Sequence, residues 1–393
     1  MAYLHAMKHD EPIVKWPVIL LGMSVAFSLF GDMAIYAILP VYHEVLGFGP
    51  MQVGILLSAN RWVRIITNRG AGRVLERSDP SRVLAVVLFL GACAAAIYAS
   101  TPPFLLFLAA RILWGVCWSF IRHIGVMTSL GTVHEKRAAG ILGIYNGVVQ
   151  FGFIAGTLAA GLLFDSWGYR ATFWLIAAVS LIGIPLDFAG FTRLRKHTSI
   201  RHHRAPTQNR FDRVMLLRGF IVSCVGTGLI ISTLGFVLRQ HFGEVFQVGS
   251  IVLGITTVNA VLIASHYSIN SIGSPMLGRL IDAIGRSTSE FLAFTFGCAA
   301  LTLAAIFTQP WVLIPAVVIF FVATVTGKLS LMSQAGLTGS KNFSLMMSAS
   351  DMGSATGPII GWAAIETSGS PEAIFTIGAA LFAIAAVSEL IKR

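Results

Sequence analysis

A short polar motif occurs twice in this chain of 393 residues, and its two copies lie 206 positions apart. The sequence GRVLE at residues 72–76 corresponds to GRLID at residues 278–282. Each copy follows a long apolar segment, carries a carboxylate four residues after its glycine and lies among arginines. A polar motif repeated at one offset in an apolar chain indicates two related halves. The fold must therefore accommodate an internal duplication.

Composition excludes a water-soluble globular protein. Hydrophobic residues make up 55% of the chain and charged residues only 11%, whereas about 25% of the residues of ordinary soluble domains are charged. Apolar runs of about 20 residues, long enough to cross the hydrocarbon core of a bilayer, recur along the chain. The alternating apolar and polar segments of a β-barrel are absent, so the spans are predicted to be helices. The sequence predicts an all-α polytopic membrane protein with twelve transmembrane helices, at about residues 17–40, 53–75, 83–100, 103–130, 138–164, 171–190, 219–241, 250–275, 289–308, 311–335, 342–366 and 371–390.

Basic residues concentrate in alternate connections between the predicted spans. Arg73, Arg77 and Arg82 follow span 2, and the most basic stretch follows span 6. The intervening connections, such as residues 100–103, carry almost no charge. By the positive-inside rule, both termini and the central stretch are predicted to be cytoplasmic, in a bacterial inner (plasma) membrane. This pattern explains the net charge of +11, so no nucleic-acid partner is expected.

The central basic stretch divides six spans from six. We predict a six-helix N-terminal half at residues 1–190, a cytoplasmic linker at 191–217 and a six-helix C-terminal half at 218–393, related as parallel repeats. The linker could bind the anionic headgroups of membrane lipids, although a solvated connector explains the same composition. We expect a monomer.

The four cysteines fall within predicted spans and lack the spacing of a disulfide framework or a metal site. They are interpreted as small apolar residues, and no metal or cofactor is expected. The polar N-terminal segment has no short apolar region with a cleavage site, so span 1 is predicted to be an uncleaved helix.

The duplicated motif resembles the signature loop of the major facilitator superfamily, which has a glycine, three residues, an acid and then a basic residue. The second copy, residues 278–286, is the closer match, because the first has Glu76 in place of aspartate and Asp79-Pro80 near the usual later glycine. The resemblance implies the major facilitator fold. It also implies a conformational latch formed by loop residues of both copies: Gly72, Glu76, Arg77, Gly278, Asp282 and Arg286. Alternatively, these charges only anchor helix ends at the inner interface.

Three further segments are similar to motifs of this superfamily. Span 4 contains Arg111 followed by Gly115, and residues 161–170 resemble a junction of its drug-antiporter-like branches. Span 11 has glycines at 353, 357 and 361 with Pro358, similar to the glycine-proline motif that antiporters carry in span 5. Span 5 of this chain has glycines at 147, 152, 156 and 161 but no proline, a departure from the antiporter pattern. Both glycine stripes are also explained by close helix packing alone.

Ionisable residues inside the spans indicate a polar centre. Each costs at least about 2.5 kcal/mol at the middle of a bilayer unless it is paired or faces water. At the helical period, polar residues of span 2 fall on one face, and so do those of span 4. The 206-residue offset places further polar residues at corresponding positions of the second half. The candidate substrate-binding residues are Asn60, Arg61, Arg64, Asn68, Arg111, Trp118, Arg122, His266, Asn270 and Lys328.

Few acids accompany these cations. Asp32 in span 1 and Asp351 in span 11 are the clearest, and they are candidate proton-coupling residues. In one interpretation, Arg61 or Arg64 pairs with Asp32 as a structural bridge between neighbouring helices. In the other, the surplus cations form an electropositive cavity for an anionic substrate. We favour the cavity, because the cations outnumber the acids.

The sequence thus favours a proton-coupled secondary transporter that moves a small or amphiphilic organic anion or zwitterion by alternating access. The alternative is a proton-coupled multidrug efflux pump, although lipophilic cations need a more acidic cavity than this sequence provides. A metal-ion exporter using Asp32 and His266 is less favoured, because no dense ligand motif is present. We expect no enzymatic activity, because no nucleophile–base or metal constellation was found.

Overall fold

The computed structural model describes residues 15–75, 78–132, 138–194, 213–338 and 340–392, and these residues are almost entirely helical. The elements of the first half are α1 (Lys15–Tyr42), α2 (Pro50–Leu75), α3 (Pro80–Ala99), α4 (Phe104–Leu130), α5 (Ala138–Ser180) and α6 (Gly183–Leu194). The second half begins with α7 (Arg213–Ser223), the π-helix π1 (Cys224–Ile230) and α8 (Ile231–Phe242). It continues with β1 (Val245–Val248), β2 (Ile251–Gly254), α9 (Ile255–Ser268), the π-helix π2 (Ile269–Gly273) and α10 (Ser274–Ile284). It ends with α11 (Arg286–Ile306), α12 (Pro310–Leu337), α13 (Ser340–Ser368) and α14 (Ala373–Lys392).

Within the described ranges, these helices correspond to the twelve predicted spans and form an all-α fold. Element α5 covers span 5 and part of span 6, which are two helices joined at Gly168, where φ is 75° and ψ is 179°. Helix α6 continues to Leu194 and α7 begins at Arg213, so both ends of the predicted linker are helical. The other linker residues, 195–212, lie outside the described residues. Helices α2, α4 and α6 all terminate at the same end of the bundle, which we call the linker side. The opposite end is called the far side.

A β-hairpin on the far side replaces the predicted start of span 8. Residues 245–248 pair antiparallel with residues 251–254, and Val248 lies opposite Ile251. The two-residue turn begins at Gly249, whose φ of 60° suits glycine. The prediction of a helix from residue 250 was therefore wrong. The β-branched runs on either side of Gly249-Ser250 are the sequence signal that indicates a hairpin.

Polar helices lie where the two halves meet. By length and apolar composition, seven segments of the described chain could cross a membrane, and one of them, Gly140–Leu194, contains both span 5 and span 6. Helix α2, residues 255–284, α13 and the shorter apolar helix α14 are not among the seven. Helix α2 packs along α13, and α5 packs along α9. Helices at such an interface can carry polar residues, because they contact protein or an aqueous cavity more than lipid.

The glycine stripes of spans 5 and 11 are packing surfaces. A β-carbon at Gly152 would overlap Ala26 of α1, and one at Gly357 would overlap the carbonyl of Cys224 in π1. Small residues therefore let α5 approach α1 and let α13 approach α7 and π1. The packing interpretation accounts for both stripes without a further role.

Two carboxylates join the halves on the far side. Oδ2 of Asp165 in α5 accepts hydrogen bonds from the N–H and the Oγ1 of Thr257, in the first turn of α9, at 2.7 and 2.5 Å. Oε2 of Glu366 in α13 accepts from the N–H of Met51, in the first turn of α2, at 3.0 Å. Each carboxylate thus satisfies a free amide at the N-terminus of a helix in the other half. These contacts close the far side.

Candidate functional site

Asp32 is bound by Arg111. Arg111 Nη1 lies 2.6 Å from Asp32 Oδ1, and Arg111 Nε donates to the carbonyl of Leu56 at 3.0 Å. Asn60 Nδ2 donates to the same Asp32 oxygen at 3.3 Å. Arg111 is completely buried, so it lies inside the first half rather than on a surface that a substrate can reach. The interpretation in which Asp32 forms a structural bridge therefore holds, but its partner is Arg111 rather than Arg61 or Arg64.

Arg61 instead binds two backbone carbonyls of the second half. Its Nη1 donates to the carbonyl of Thr227 at 2.8 Å and to that of Ser354 at 2.5 Å. Ser354 lies four residues before Pro358, which has no N–H to occupy this carbonyl. Thr227 lies in π1, where each backbone N–H bonds to the carbonyl five residues earlier. Where the four-residue spacing of an α-helix resumes, one carbonyl is left without a backbone donor. Both carbonyls can accept from Arg61 because the irregularity of their own helices leaves them without a backbone donor.

A single carboxylate of the second half lies among several cations of this polar centre. Asp351 Oδ1 is 3.7 Å from Arg64 Nη2, and its Oδ2 is 3.6 Å from Arg122 Nη1. Lys328 of α12 lies close enough to interact with Asp351 electrostatically. Arg64 and Arg122 belong to α2 and α4, so the carboxylate links the halves. The cations around it exceed its charge.

A cavity of about 430 Å³ lies beside this cluster. It runs from Phe153, near the middle of the bundle, to Gly143, near the linker-side start of α5. Arg122 belongs to both features, because its side chain lines the cavity and also faces Asp351. The lining residues come from α4, α5 and π2: Trp118, Arg122, Val126, Gly143, Tyr145, Asn146, Gly147, Val149, Gln150, Phe153, Asn270 and Ser271.

Three of the predicted substrate-binding residues line this cavity: Trp118, Arg122 and Asn270. The sequence reasoning missed two amides of α5, Asn146 and Gln150. They lie one helical turn apart in an otherwise apolar span, and that spacing is the signal that could have identified them.

The other predicted residues lie elsewhere. His266 is buried against the rings of Tyr267 and Phe321, with centroid distances of 5.4 and 5.0 Å. Asn60 holds Asp32 in the first half, and Asn68 is half-buried on α2. No group of three or more histidine, cysteine or acidic residues that could hold a metal occurs among residues that the structure describes.

The latch residues make few contacts here. Gly72 packs near His123 of α4, whereas a β-carbon at Gly278 would meet no atom within 4 Å. Asp282 is exposed, and Arg286 Nε donates to Ser333 Oγ at 3.2 Å. Glu76 and Arg77 lie outside the described residues. An open second-half motif is consistent with a cavity that extends towards the linker side.

The chain is similar to known proteins over most of its length. A sequence profile of the Major Facilitator Superfamily matches residues 21–338. The multidrug resistance protein MdtG of Salmonella typhi is 27% identical over 387 residues, covering 91% of this chain and 90% of MdtG. A bacterial homologue of the human lysosomal transporter Spinster, crystallised in an inward-facing and occupied conformation, has a TM-score of 0.81 at 12% identity, over 97% of each chain. The human organic anion transporter MFSD10 has a TM-score of 0.67 at 16% identity, over 96% of this chain and 99% of MFSD10.

Proposed function

Because the chain belongs to the Major Facilitator Superfamily, we propose that it is a secondary transporter that moves a small or amphiphilic organic anion by alternating access. The observation that carries this proposal is the charge of the polar centre. Arg64 and Arg122 lie 3.7 and 3.6 Å from one carboxylate, Asp351, beside the cavity, and Lys328 of α12 adds a third positive charge within electrostatic range. An excess of cations in a low-dielectric site attracts an anionic group.

The cavity lining fits a ligand with a charged end and an apolar body. The Arg122 side chain is 40% exposed, so its guanidinium is accessible to a carboxylate or phosphonate as a bidentate partner. Trp118 and Phe153 form apolar walls, and the amides of Asn146 and Asn270 supply directional hydrogen bonds. These groups support an amphiphilic anion or a zwitterion.

The same proposal places the protein as a monomer in a bacterial inner membrane. Both termini lie on the cytoplasmic side, as the distribution of basic residues favours. The cavity then opens to the cytoplasm through the linker side. Transport requires a second conformation, in which the contacts of Asp165 and Glu366 on the far side are broken. Protons are the proposed coupling ion, and membrane lipids are the expected surroundings of the bundle.

Uptake into proteoliposomes tests this function. With naphthalene-2-carboxylate as the probe, wild-type protein should transport the anion and should not transport the isosteric carboxamide. Arg122→Gln should reduce the initial rate at least about tenfold, because one charge-assisted interaction of about 1.5–3 kcal/mol is lost.

The matched control is Arg82→Gln, which removes the same charge from a side chain that is 85% exposed near the start of α3. It should leave transport unchanged. If Arg122→Gln transports the carboxylate as fast as wild type, the proposed anion site is wrong.

Multidrug efflux is the second candidate, and the similarity to MdtG supports it. In this case the substrate is a lipophilic cation, and an intramembrane acid is the proton carrier. Ethidium transport that is abolished by Asp32→Asn, together with no response to anions, would establish this candidate instead.

A further inference from the structure

We propose that Asp351 occupies the anion site of the empty transporter, and that the substrate's anionic group displaces it so that Asp351 then takes up a proton. Anion and proton would therefore occupy the centre of the protein together. This inference rests on the proposed function and adds to it the coupling residue and the direction of coupling.

The geometry of Asp351 is that of a bound anion. Its two oxygens face two different guanidinium groups, Arg64 on α2 and Arg122 on α4. The separations of 3.7 and 3.6 Å exceed hydrogen-bonding distance. The carboxylate is therefore attracted to both arginines but tightly hydrogen-bonded to neither, and a better-placed anion can replace it.

Arg122 is the point where the substrate and Asp351 compete. It lines the cavity from α4 and also faces Asp351 from the other half. A carboxylate or phosphonate that enters from the linker side meets this guanidinium first. Arg111 differs, because its charge is already neutralised by Asp32 at 2.6 Å inside the first half.

Charged groups on the surrounding helices either face Asp351 or are paired with other residues elsewhere in the bundle. Arg61 and Arg64 face the centre from α2, Arg122 from α4 and Lys328 from α12, and His266 of α9 lies within electrostatic range of Lys328. Helices α7 and α14 contribute Arg218 and Glu389, which bind each other in a buried cluster with Glu290 of α11. In α8, Arg239 and His241 bind acids on the far side, including Glu44 and Glu372.

This charge distribution determines when Asp351 is protonated. In the empty protein, the positive charges of Arg64 and Arg122 face the two oxygens of this carboxylate. A bound anion neutralises those cations, and the released carboxylate then lies beside another negative charge. One proton passes from a hydronium ion of the solvent to an oxygen of Asp351: an O–H bond of the hydronium breaks, the O–H bond of the carboxylic acid forms, and a water molecule is left. Since one anion and one proton bind together, both should cross the membrane in the same direction.

Isothermal titration calorimetry on the full-length protein in nanodiscs tests the inference. Naphthalene-2-carboxylate is titrated in two buffers of different ionisation enthalpy, which reports the protons taken up. For each anion bound, wild type should take up as much as about one proton. Its affinity for the anion should fall by up to about tenfold per pH unit as the pH is raised from about 6 to about 8. Asp351→Asn should bind with no proton uptake, and with an affinity that stays constant over this pH range.

The matched control is Asp351→Glu, which keeps an acid on α13 and should retain proton uptake. Equal proton uptake by wild type and Asp351→Asn would overturn the inference and leave anion transport standing. If wild type does not bind the carboxylate but binds ethidium with release of a proton, the proposed function itself fails.

Discussion

Arg61 shows how one residue can join two halves without an acid partner. Its guanidinium is bound by two carbonyls that a proline and a π-helix leave free, and it lies over the ring of Tyr36 at 5.0 Å. In the proposed transport function, substrate binding is therefore assigned to Arg122, and a role of Arg61 in it stays a prediction. Arg61 contributes positive charge to the centre and holds α2 against π1 and α13.

A double-mutant cycle tests this role of Arg61. Arg61→Lys should lower the free energy of unfolding by about 1–3 kcal/mol, because one ammonium group cannot reproduce the geometry of the guanidinium. In the Pro358→Ala background, Ser354 can bond to the new N–H at position 358, so the effect of Arg61→Lys should shrink by about 0.5–1 kcal/mol. Thermal unfolding in detergent measures all four proteins.

The control for this cycle is Pro315→Ala. Pro315 lies inside α12 and is remote in sequence from both acceptors of Arg61. Its substitution should leave the effect of Arg61→Lys unchanged. If the effects of Arg61→Lys and Pro358→Ala on the free energy of unfolding are fully additive, the freed carbonyl of Ser354 does not contribute to the binding of Arg61.

At the scale of elements, the far-side closure uses the same arrangement twice. Spans 5 and 11 carry the carboxylates, and spans 8 and 2 supply the helix N-termini, so the two contacts correspond under the internal repeat. A carboxylate at a helix N-terminus is stabilised by free amides and by the helix dipole. Both interactions are lost when the halves separate on this side.

Asp165→Asn should shift the protein towards the state that is open on the far side. The amide of asparagine can still accept, but the negative charge at the helix N-terminus is lost; this costs about 0.3–1 kcal/mol and changes the ratio of the two states by up to about fivefold. Spin labels at Val45 and Val252, which are exposed on the far side of the first and second half, report this opening. In a cysteine-free background, double electron–electron resonance should show a larger fraction of long distances.

The control is Asp79→Asn. Asp79 caps α3 within the first half by accepting from Ser81 N–H at 3.1 Å, so the same chemical change does not affect the contact between halves. A label distribution that is identical for wild type and Asp165→Asn would rule out this closure mechanism.

At the scale of the whole molecule, the two ends of the bundle are in different states. The far side is closed by contacts between the halves, whereas the second-half signature loop on the linker side leaves Gly278 open and Asp282 exposed. The loop is therefore expected to act in the other conformation, when the linker side closes.

Asp282→Asn tests this assignment. The free energy of unfolding of the variant should lie within about 0.5 kcal/mol of the wild-type value, because an exposed side chain is changed. Combined with Asp165→Asn, it should reduce the fraction of long distances between the labels at Val45 and Val252, because closure of the linker side is weakened. An increase in that fraction would contradict a latch role for Asp282.

Part of the site was predictable from residue spacing. Trp118 and Arg122 lie one turn apart on α4, and Asn270 follows from the 206-residue offset; all three line the cavity. The amides of α5 could have been found by the same spacing. The β-hairpin was missed because a run of apolar, β-branched residues satisfies a hydropathy criterion whether it forms a helix or a strand.

By itself, the sequence determined that this protein is a helical membrane protein with an internal repeat and a polar centre. Hydropathy and charge act locally, because each apolar run must cross the bilayer however it packs. Only the tertiary structure decided which charges meet. Arg111, rather than Arg61 or Arg64, binds Asp32, and Asp351 lies between Arg64 and Arg122 of the other half. These partners are far apart in the chain, and which of them meet depends on how the helices pack rather than on spacing along one helix.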